Sequence, residues 1–281
     1  MNRASPFHGC LIVAALLLST AFSSQSRAES RVYSVGVLNQ QSVVATAELW
    51  NPILQYLGGK TGASFRLAVG NTVQETDARM ADGEFDLNFS NHIFNLPIQQ
   101  EYHPIVQWGG DALNGTLVSL KLKTIKELDG KTIAFPSADA FAATVIPWTK
   151  LKQQKIRFKP LYTGSQEACM AALAKGLADA ASVTPRFSLP YADAHHMKLH
   201  TIYASEDFPQ IPLLVHNKRV SADLEQRIAS TLLAMPVDPE GKKLLEALKI
   251  PPFKPANNAM YDSTRKRYAE WAKSTKETDY P

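Results

Sequence analysis

Apolar runs of strand length alternate with amphipathic stretches of helix length along most of this chain, and that alternation limits the fold more than any other feature. VYSVGVL (32–38) is a continuous apolar run, as expected of a strand covered on both faces. In the following ATAELWNPILQYLGGKTG, Leu49, Ile53, Leu54 and Leu57 share one helical face and Gly58-Gly59 supply a stop. SFRLAVG reads as a second strand, TVQETDARMADG as a helix capped by Asn71 and stopped by Gly83, and FDLNFS as a third strand. The middle of the chain repeats this logic. Thr124 caps IKEL, Asp129-Gly130 turns into the strand KTIAF, and Ser165 caps QEACMAALAKG before the strand ADAASV. Two short strands follow, HTIYAS and IPLLVHN. Ser221 then caps a helix carrying Leu224, Ile228 and Leu232, and Asp238-Pro239 opens another. The tail, YDSTRKRYAEWAKSTKETDYP, reads as a polar, mostly exposed helix.

Two βαβ runs followed by helices imply an α/β protein with two sheet-centred lobes. The chain is expected to cross between lobes near Leu117 and again near Pro212 to His216. Residues 29–117 and 213–281 then build lobe one and residues 118–212 lobe two. Two lobes on a two-strand hinge form a clamshell, with its ligand between them at the carboxyl ends of the strands.

Residues 1–28 stand apart. Arg3 precedes CLIVAALLLSTAF, an apolar run too short for a typical membrane span, and Ser26-Arg27-Ala28 offers a small-x-small cleavage site. This reads as a signal peptide cut before Glu29, which sends the protein to the periplasm. The segment removes two Arg and no acid, so the formal charge falls from +4 to +2. That charge gives no argument for nucleic acid, and there is no basic stripe with interleaved aromatics. Cys169 is then the only cysteine left, so no internal disulfide can form. It is either a buried structural thiol or a soft ligand facing the cleft.

Five segments in order carry a resemblance: VGVLNQQS, MADGEFDLNFSNHIF, TIKELDGKTIAFPS, YTGSQEACMAALAKGLADAASV and MPVDPEGKKLLEALKI. Together they resemble the phosphonate-type periplasmic solute-binding proteins, which serve ABC transporters for phosphate, phosphite and phosphonate. The resemblance runs from about Val32 to about Asp262. It implies a type II periplasmic-binding clamshell that closes on an oxyanion. The family pattern also implies a Ser-Thr-Ser cluster opening a lobe-two helix, aromatics after the first and third strands, a His in a Gly-Ser-His turn and a late Asp.

This sequence departs from that pattern. The hydroxyl cluster becomes Ala140, Phe141 and Ala142, and the first aromatic becomes Gln40. The second aromatic stays as Phe94, the His becomes Gln166, and the late Asp becomes Thr184. Each oxygen of a desolvated phosphonate needs a donor, and one unpaired buried group costs about 1–3 kcal/mol. Tight phosphonate binding is therefore not expected. Backbone N–H groups at the start of FAATVIP remain, with Ser137, Asp139 and Thr144 beside them. Gln40, Gln41, Ser42, Ser90, Asn91 and His92 would form an amide-rich wall of lobe one. Such a pocket suits a neutral polar solute or a softer oxyanion of sulfur, arsenic or selenium. Asp139 also reads as a helix cap, Ala140 to Ala143 as packing, and Ser90-Asn91-His92 as an ordinary turn.

No G-x-S-x-G elbow, P-loop or H-E-x-x-H helix is present, so catalysis is not expected. His196 and His200 are four apart but lead into a strand, so no metal and no cofactor is expected. The expected partners are a small-molecule ligand and an ABC permease, with a histidine-kinase ectodomain as the sensory alternative, and the expected state is a monomer.

Overall fold

The structure is a computed structural model that describes Met1 and residues 31–38 and 42–276. The chain divides after Ser30, and the folded body begins at Arg31. The expected signal segment thus lies, Met1 apart, outside the described residues, as do Gln40 and Gln41.

The strands are β1 (Val32–Val37), β2 (Ser64–Ala68), β3 (Leu87–Phe89), β4 (Tyr102–Gln107), β5 (Thr116–Ser119), β6 (Lys131–Phe135), β7 (Phe158–Tyr162), β8 (Ala180–Val183), β9 (His200–Ala204), β10 (Pro212–His216) and β11 (Lys254–Pro255). The helices are α1 (Val43–Thr61), α2 (Val73–Ala81), α3 (Ile146–Gln153), α4 (Gln166–Ala174), α5 (Pro185–Ala194), α6 (Ala222–Ala234), α7 (Pro239–Leu248) and α8 (Asp262–Lys276). A π-helical turn, Phe141–Val145, runs directly into α3.

The strands form two sheets, in the orders β11-β4-β10-β3-β1-β2 and β7-β6-β8-β5-β9. In the first, β1 pairs in parallel with β2 and β3, while β10 enters antiparallel between β3 and β4. In the second, β6 pairs in parallel with β7 and β8, and β5 lies antiparallel between β8 and β9. The chain crosses between sheets over residues 108–115 and 205–211. These crossing segments pair with each other where Leu113 and Phe208 exchange N–H···O bonds of 2.9 and 2.8 Å. Leu117 is a fully buried β5 residue of the second sheet, and Pro212 opens β10 of the first.

Period-two patterning explains the second sheet. Leu117, Ile133 and Phe135 face the cluster with Trp148 and Leu151, while Val118 and Ala134 face Cys169, Met170 and Leu173. In the first sheet, Val35, Val37, Leu87 and Phe89 pack on Trp50, Ile53 and Leu57 of α1 and on Ile228 and Leu232 of α6. On its other face Phe85 covers Gly36, where a Cβ would come within 2.2 Å of the ring.

Several local expectations are corrected. Helix α1 runs past Gly58-Gly59 to end at Gly62, whose φ of 72° the missing Cβ allows. Thr72, not Asn71, caps α2, accepting from Glu75 N–H, while Asn71 binds the Glu75 carboxylate. The tail helix is not mostly exposed. Tyr261 before it, and Thr264 and Tyr268 within it, are at most 1% exposed. Their three-to-four-residue spacing makes a buried stripe that the surrounding charges hide in a composition-based reading.

That stripe belongs to a core shared by both halves of the molecule. Ile93, Phe94, Tyr102 and Leu214, from the first sheet and its loops, join Phe141, Ala142, Val145 and Ile146 beside the second, together with Phe208, Tyr261 and Tyr268. The seam between the lobes is therefore apolar and filled. Close approach is built in at Gly115, where a Cβ would lie 1.9 Å from the Ala142 carbonyl oxygen.

Candidate functional site

Polar groups gather at one end of this seam. Strand β3 ends at Phe89, and the chain turns through Ser90 and Asn91 into a short helical turn, His92–Asn95. Ser90 Oγ accepts from the His92 N–H at 3.0 Å and fixes that turn. Its oxygen is thereby engaged by the backbone. The His92 side chain is 8% exposed and faces two carboxylates. Its Nδ1 lies 3.3 Å from Asp77 Oδ1 and 3.4 Å from Asp77 Oδ2, on α2. The same atom lies 3.4 Å from Asp139 Oδ2, which comes from the turn after β6 beside the other sheet.

Asp139 is thus not a helix cap. The cap position belongs to Ala140, whose carbonyl accepts from both Thr144 and Val145 N–H groups. Ser137 Oγ donates to Asp139 Oδ1 at 3.0 Å, which leaves Oδ2 to face His92. Thr144 Oγ1 donates to the Ser137 carbonyl at 2.6 Å and ties this turn to the helix that follows.

Burial pulls the His92 pKa down, but the Asp77 hydrogen bond and the charges of Asp139 and Asp77 outweigh it, leaving the ring above its ordinary value. Burial raises Asp77, against the opposing pull of His92, and Asp139 raises it further. Tyr268, 1% exposed, is pushed well above its ordinary range by burial first and by the Asp139 and Asp77 charges second. Its hydroxyl has no hydrogen-bond partner among the described residues.

The other expected site residues fall into separate roles. Ser42 caps α1 by accepting from Ala45 N–H at 3.2 Å. Asn91 is 7% exposed beside His92. Phe94 stacks on Tyr261 at 4.9 Å beneath the Arg265 guanidinium. Phe141 is 3% exposed and packs against the rings of Phe208 and Tyr268 at 5.1 and 5.0 Å, and Ala142 is buried beside it. Gln166 and Thr184 meet each other: Gln166 Oε1 accepts from Thr184 N–H at 2.7 Å and from its hydroxyl at 3.0 Å.

The sequence reading missed Asp77 and Tyr268. Asp77 sits between the buried Thr76 and Met80 on α2, and no motif marks it. Tyr268 was hidden in the charged tail. Cys169 is fully buried on α4, its Sγ 3.1 Å from Thr163 Oγ1, and burial pushes its pKa to about 11. It does not face the seam. His195 and His196 lie in a turn before β9.

The profile of the family described as "ABC transporter, phosphonate, periplasmic substrate-binding protein" matches residues 35–261. The chain belongs to that family. Its members are substrate-binding transport proteins, and phosphonate-binding structures share its fold. PhnD1 from Prochlorococcus marinus, in complex with methylphosphonate, aligns with a TM-score of 0.72 at 16% identity, over 87% of this chain and 99% of that one. A Xanthomonas citri protein bound to chloride ion gives 0.73 at 16% identity, over 88% and 99%. A binding protein component of an ABC phosphonate transporter from Pseudomonas aeruginosa gives 0.69 at 15% identity, over 88% of each chain. No curated protein sequence matches the chain. The fold is the type II periplasmic-binding clamshell of this phosphonate-binding family. Among the described residues no helix is long and apolar enough to cross a membrane.

Proposed function

We propose that this member of the phosphonate-binding family captures a small neutral or cationic polar solute at the seam between its lobes and delivers it to an ABC permease, and that it does not bind phosphonate tightly. The observation that carries this reading is the approach of two carboxylates, Asp77 and Asp139, to one buried imidazole, His92. It lies beside the segment where the family resemblance implies hydroxyl donors, and where this chain has Ala140, Phe141 and Ala142.

A phosphonate there would meet negative charge in place of donors. Two unit charges 4 Å apart repel by about 4 kcal/mol at an effective dielectric constant of 20. The hydroxyls nearest the seam do not offset this. Ser137 already donates to Asp139, and Ser90, whose oxygen accepts from the His92 N–H, is 1% exposed. Gln166 and Thr184 stand where the family resemblance implies His and Asp, and the Thr184 hydroxyl is spent on Gln166 Oε1. The same charges weigh against the sulfur, arsenic and selenium oxyanions, and nothing in the seam favours a kinase ectodomain over a permease as partner.

The test is a thermal-shift panel on residues 29–281 with methylphosphonate, phosphate, thiosulfate, neutral polar solutes and small cations. Ligand at 100 times its dissociation constant adds about 2.7 kcal/mol of stability. Stabilisation confined to neutral or cationic solutes is expected. Stabilisation by methylphosphonate at micromolar concentration would overturn this reading.

A further inference from the structure

We propose that the solute held at the seam is a divalent transition-metal ion, coordinated by Nδ1 of His92 and by one carboxylate oxygen each from Asp77 and Asp139. This rests on capture at the interlobe seam and names the chemical class of what is captured.

The geometry around His92 is poor for hydrogen bonding and good for coordination. One ring nitrogen faces three carboxylate oxygens at 3.3, 3.4 and 3.4 Å. That nitrogen can carry one hydrogen, and a charge-assisted N–H···O bond prefers about 2.7–2.9 Å. None of the three contacts reaches that range. Metal bonds of about 2.0–2.2 Å at a tetrahedral angle, by contrast, place neighbouring ligand atoms about 3.3–3.5 Å apart. One ligand atom from each of Asp77, His92 and Asp139 lies within 4.8 Å of the other two.

Two further observations point to a missing positive or donating group. Asp77 Oδ1 is buried and, apart from its 3.3 Å ion-pair contact with His92 Nδ1, has no hydrogen-bond partner among the described residues. The Tyr268 hydroxyl, in a side chain 1% exposed, is likewise unpartnered and lies within electrostatic reach of both carboxylates. Buried polar atoms are usually satisfied, so a half-paired carboxylate oxygen and an unpartnered hydroxyl under the influence of the same carboxylates point to a further partner. A metal ion answers the first, and a water or anion completing its coordination answers the second.

The supporting shell fits. Ser137 holds Asp139 Oδ1, which leaves Oδ2 as the ligand atom, and the Ser90 hydroxyl fixes the turn that presents His92. One imidazole with two carboxylates suits zinc, manganese, iron, cobalt or nickel. The absence of thiolate and thioether disfavours copper(I), and so few oxygens disfavour calcium. Asp77 and His92 come from the first lobe and Asp139 from the second, so coordination would hold the clamshell closed. Short-range sequence spacing could not reveal this set, because its members are 15 and 47 residues apart.

The experiment is isothermal titration of chelator-treated protein, residues 29–281, with zinc and separately with manganese. Cobalt(II) absorption reports coordination number. Saturable binding of one ion per chain is expected, with at least tenfold weaker affinity in Asp139→Asn and His92→Gln. A smaller loss is expected in Ser137→Ala, and none when His195, His196 and His200 are changed to Gln. Circular dichroism of each variant verifies its fold. Absence of one-to-one binding, or undiminished binding in folded Asp139→Asn and His92→Gln, overturns the proposal. Stabilisation by a neutral polar solute without zinc binding overturns only the metal assignment. Tight methylphosphonate binding without zinc binding overturns the seam reading as well.

Discussion

His92 Nδ1 lies 3.4 Å from Asp139 Oδ2, and the two residues follow strands of different sheets. Each stands in the turn after a central strand, β3 or β6, where a clamshell offers its ligand-facing groups. The contact therefore reports on lobe closure. Replacing Asp139 by Ala should loosen the seam and raise the radius of gyration measured by small-angle X-ray scattering. It should also lower the melting temperature, because the buried imidazole loses one of the two carboxylates that favour its charged form. An unchanged scattering curve and unchanged melting would mean that the apolar seam alone holds the lobes together.

That apolar seam can be tested at Phe141. The ring is packed between Phe208 and Tyr268 in a core drawn from both lobes. Phe141→Ala should destabilise by about 3–5 kcal/mol, as large-to-small changes of buried aromatics do. Phe141→Ser should destabilise similarly, and calorimetry should detect no gain of methylphosphonate binding. Recovery of binding in the Ser variant would show that the lost hydroxyls were all that excluded the anion.

Tyr268 separates ring from hydroxyl. Without metal, Tyr268→Phe removes a buried group that has no partner, so denaturant unfolding should show unchanged or slightly higher stability. Tyr268→Ala should cost about 3–5 kcal/mol. A loss above about 1 kcal/mol in the Phe variant would mean that the hydroxyl is hydrogen-bonded.

Acid sensitivity has a defined window far from the seam. Hydrogen bonds from the Arg157 side chain and backbone hold the Asp129 carboxyl down at about 2. A carboxylate with a depressed folded pKa contributes stability above its unfolded value, about 4, and loses it as pH falls through the folded value. Asp129→Asn should therefore melt below the native chain at pH 7. The two melting curves should converge as pH falls from about 4 to about 2. A gap that persists at the lowest pH would assign the effect to something other than ionisation.

Cys169 should be inert. Burial raises its pKa to about 11, so its thiolate is scarce at pH 8 and reagents cannot reach it. Iodoacetamide should label the protein of residues 29–281 only after denaturation. Rapid labelling of the native protein would bring back the soft-ligand reading.

Much of the fold was legible because its signals are local. The continuous run at β1, the Ser165, Ser221 and Asp238 caps and the capping box at Thr124 each depend on a few neighbouring residues. The site was legible only in part. Ser90, His92, Ser137 and Asp139 do gather, because the turns after β3 of one sheet and β6 of the other face each other. Asp77 and Tyr268 were not legible, because a single polar residue on an amphipathic helix looks solvated until its facing element is known. Phe141, standing where the resemblance implies a hydroxyl of the pocket, instead fills the core between the sheets, since burial against Phe208 and Tyr268 depends on contacts 67 and 127 residues away.

The most direct measurement is a crystal structure of the zinc-treated protein with anomalous data collected at the zinc edge. This account predicts one strong anomalous peak about 2.0–2.1 Å from His92 Nδ1, with a carboxylate oxygen of Asp77 and of Asp139 completing three protein ligands. No peak at that position, or methylphosphonate density there after soaking, would contradict it.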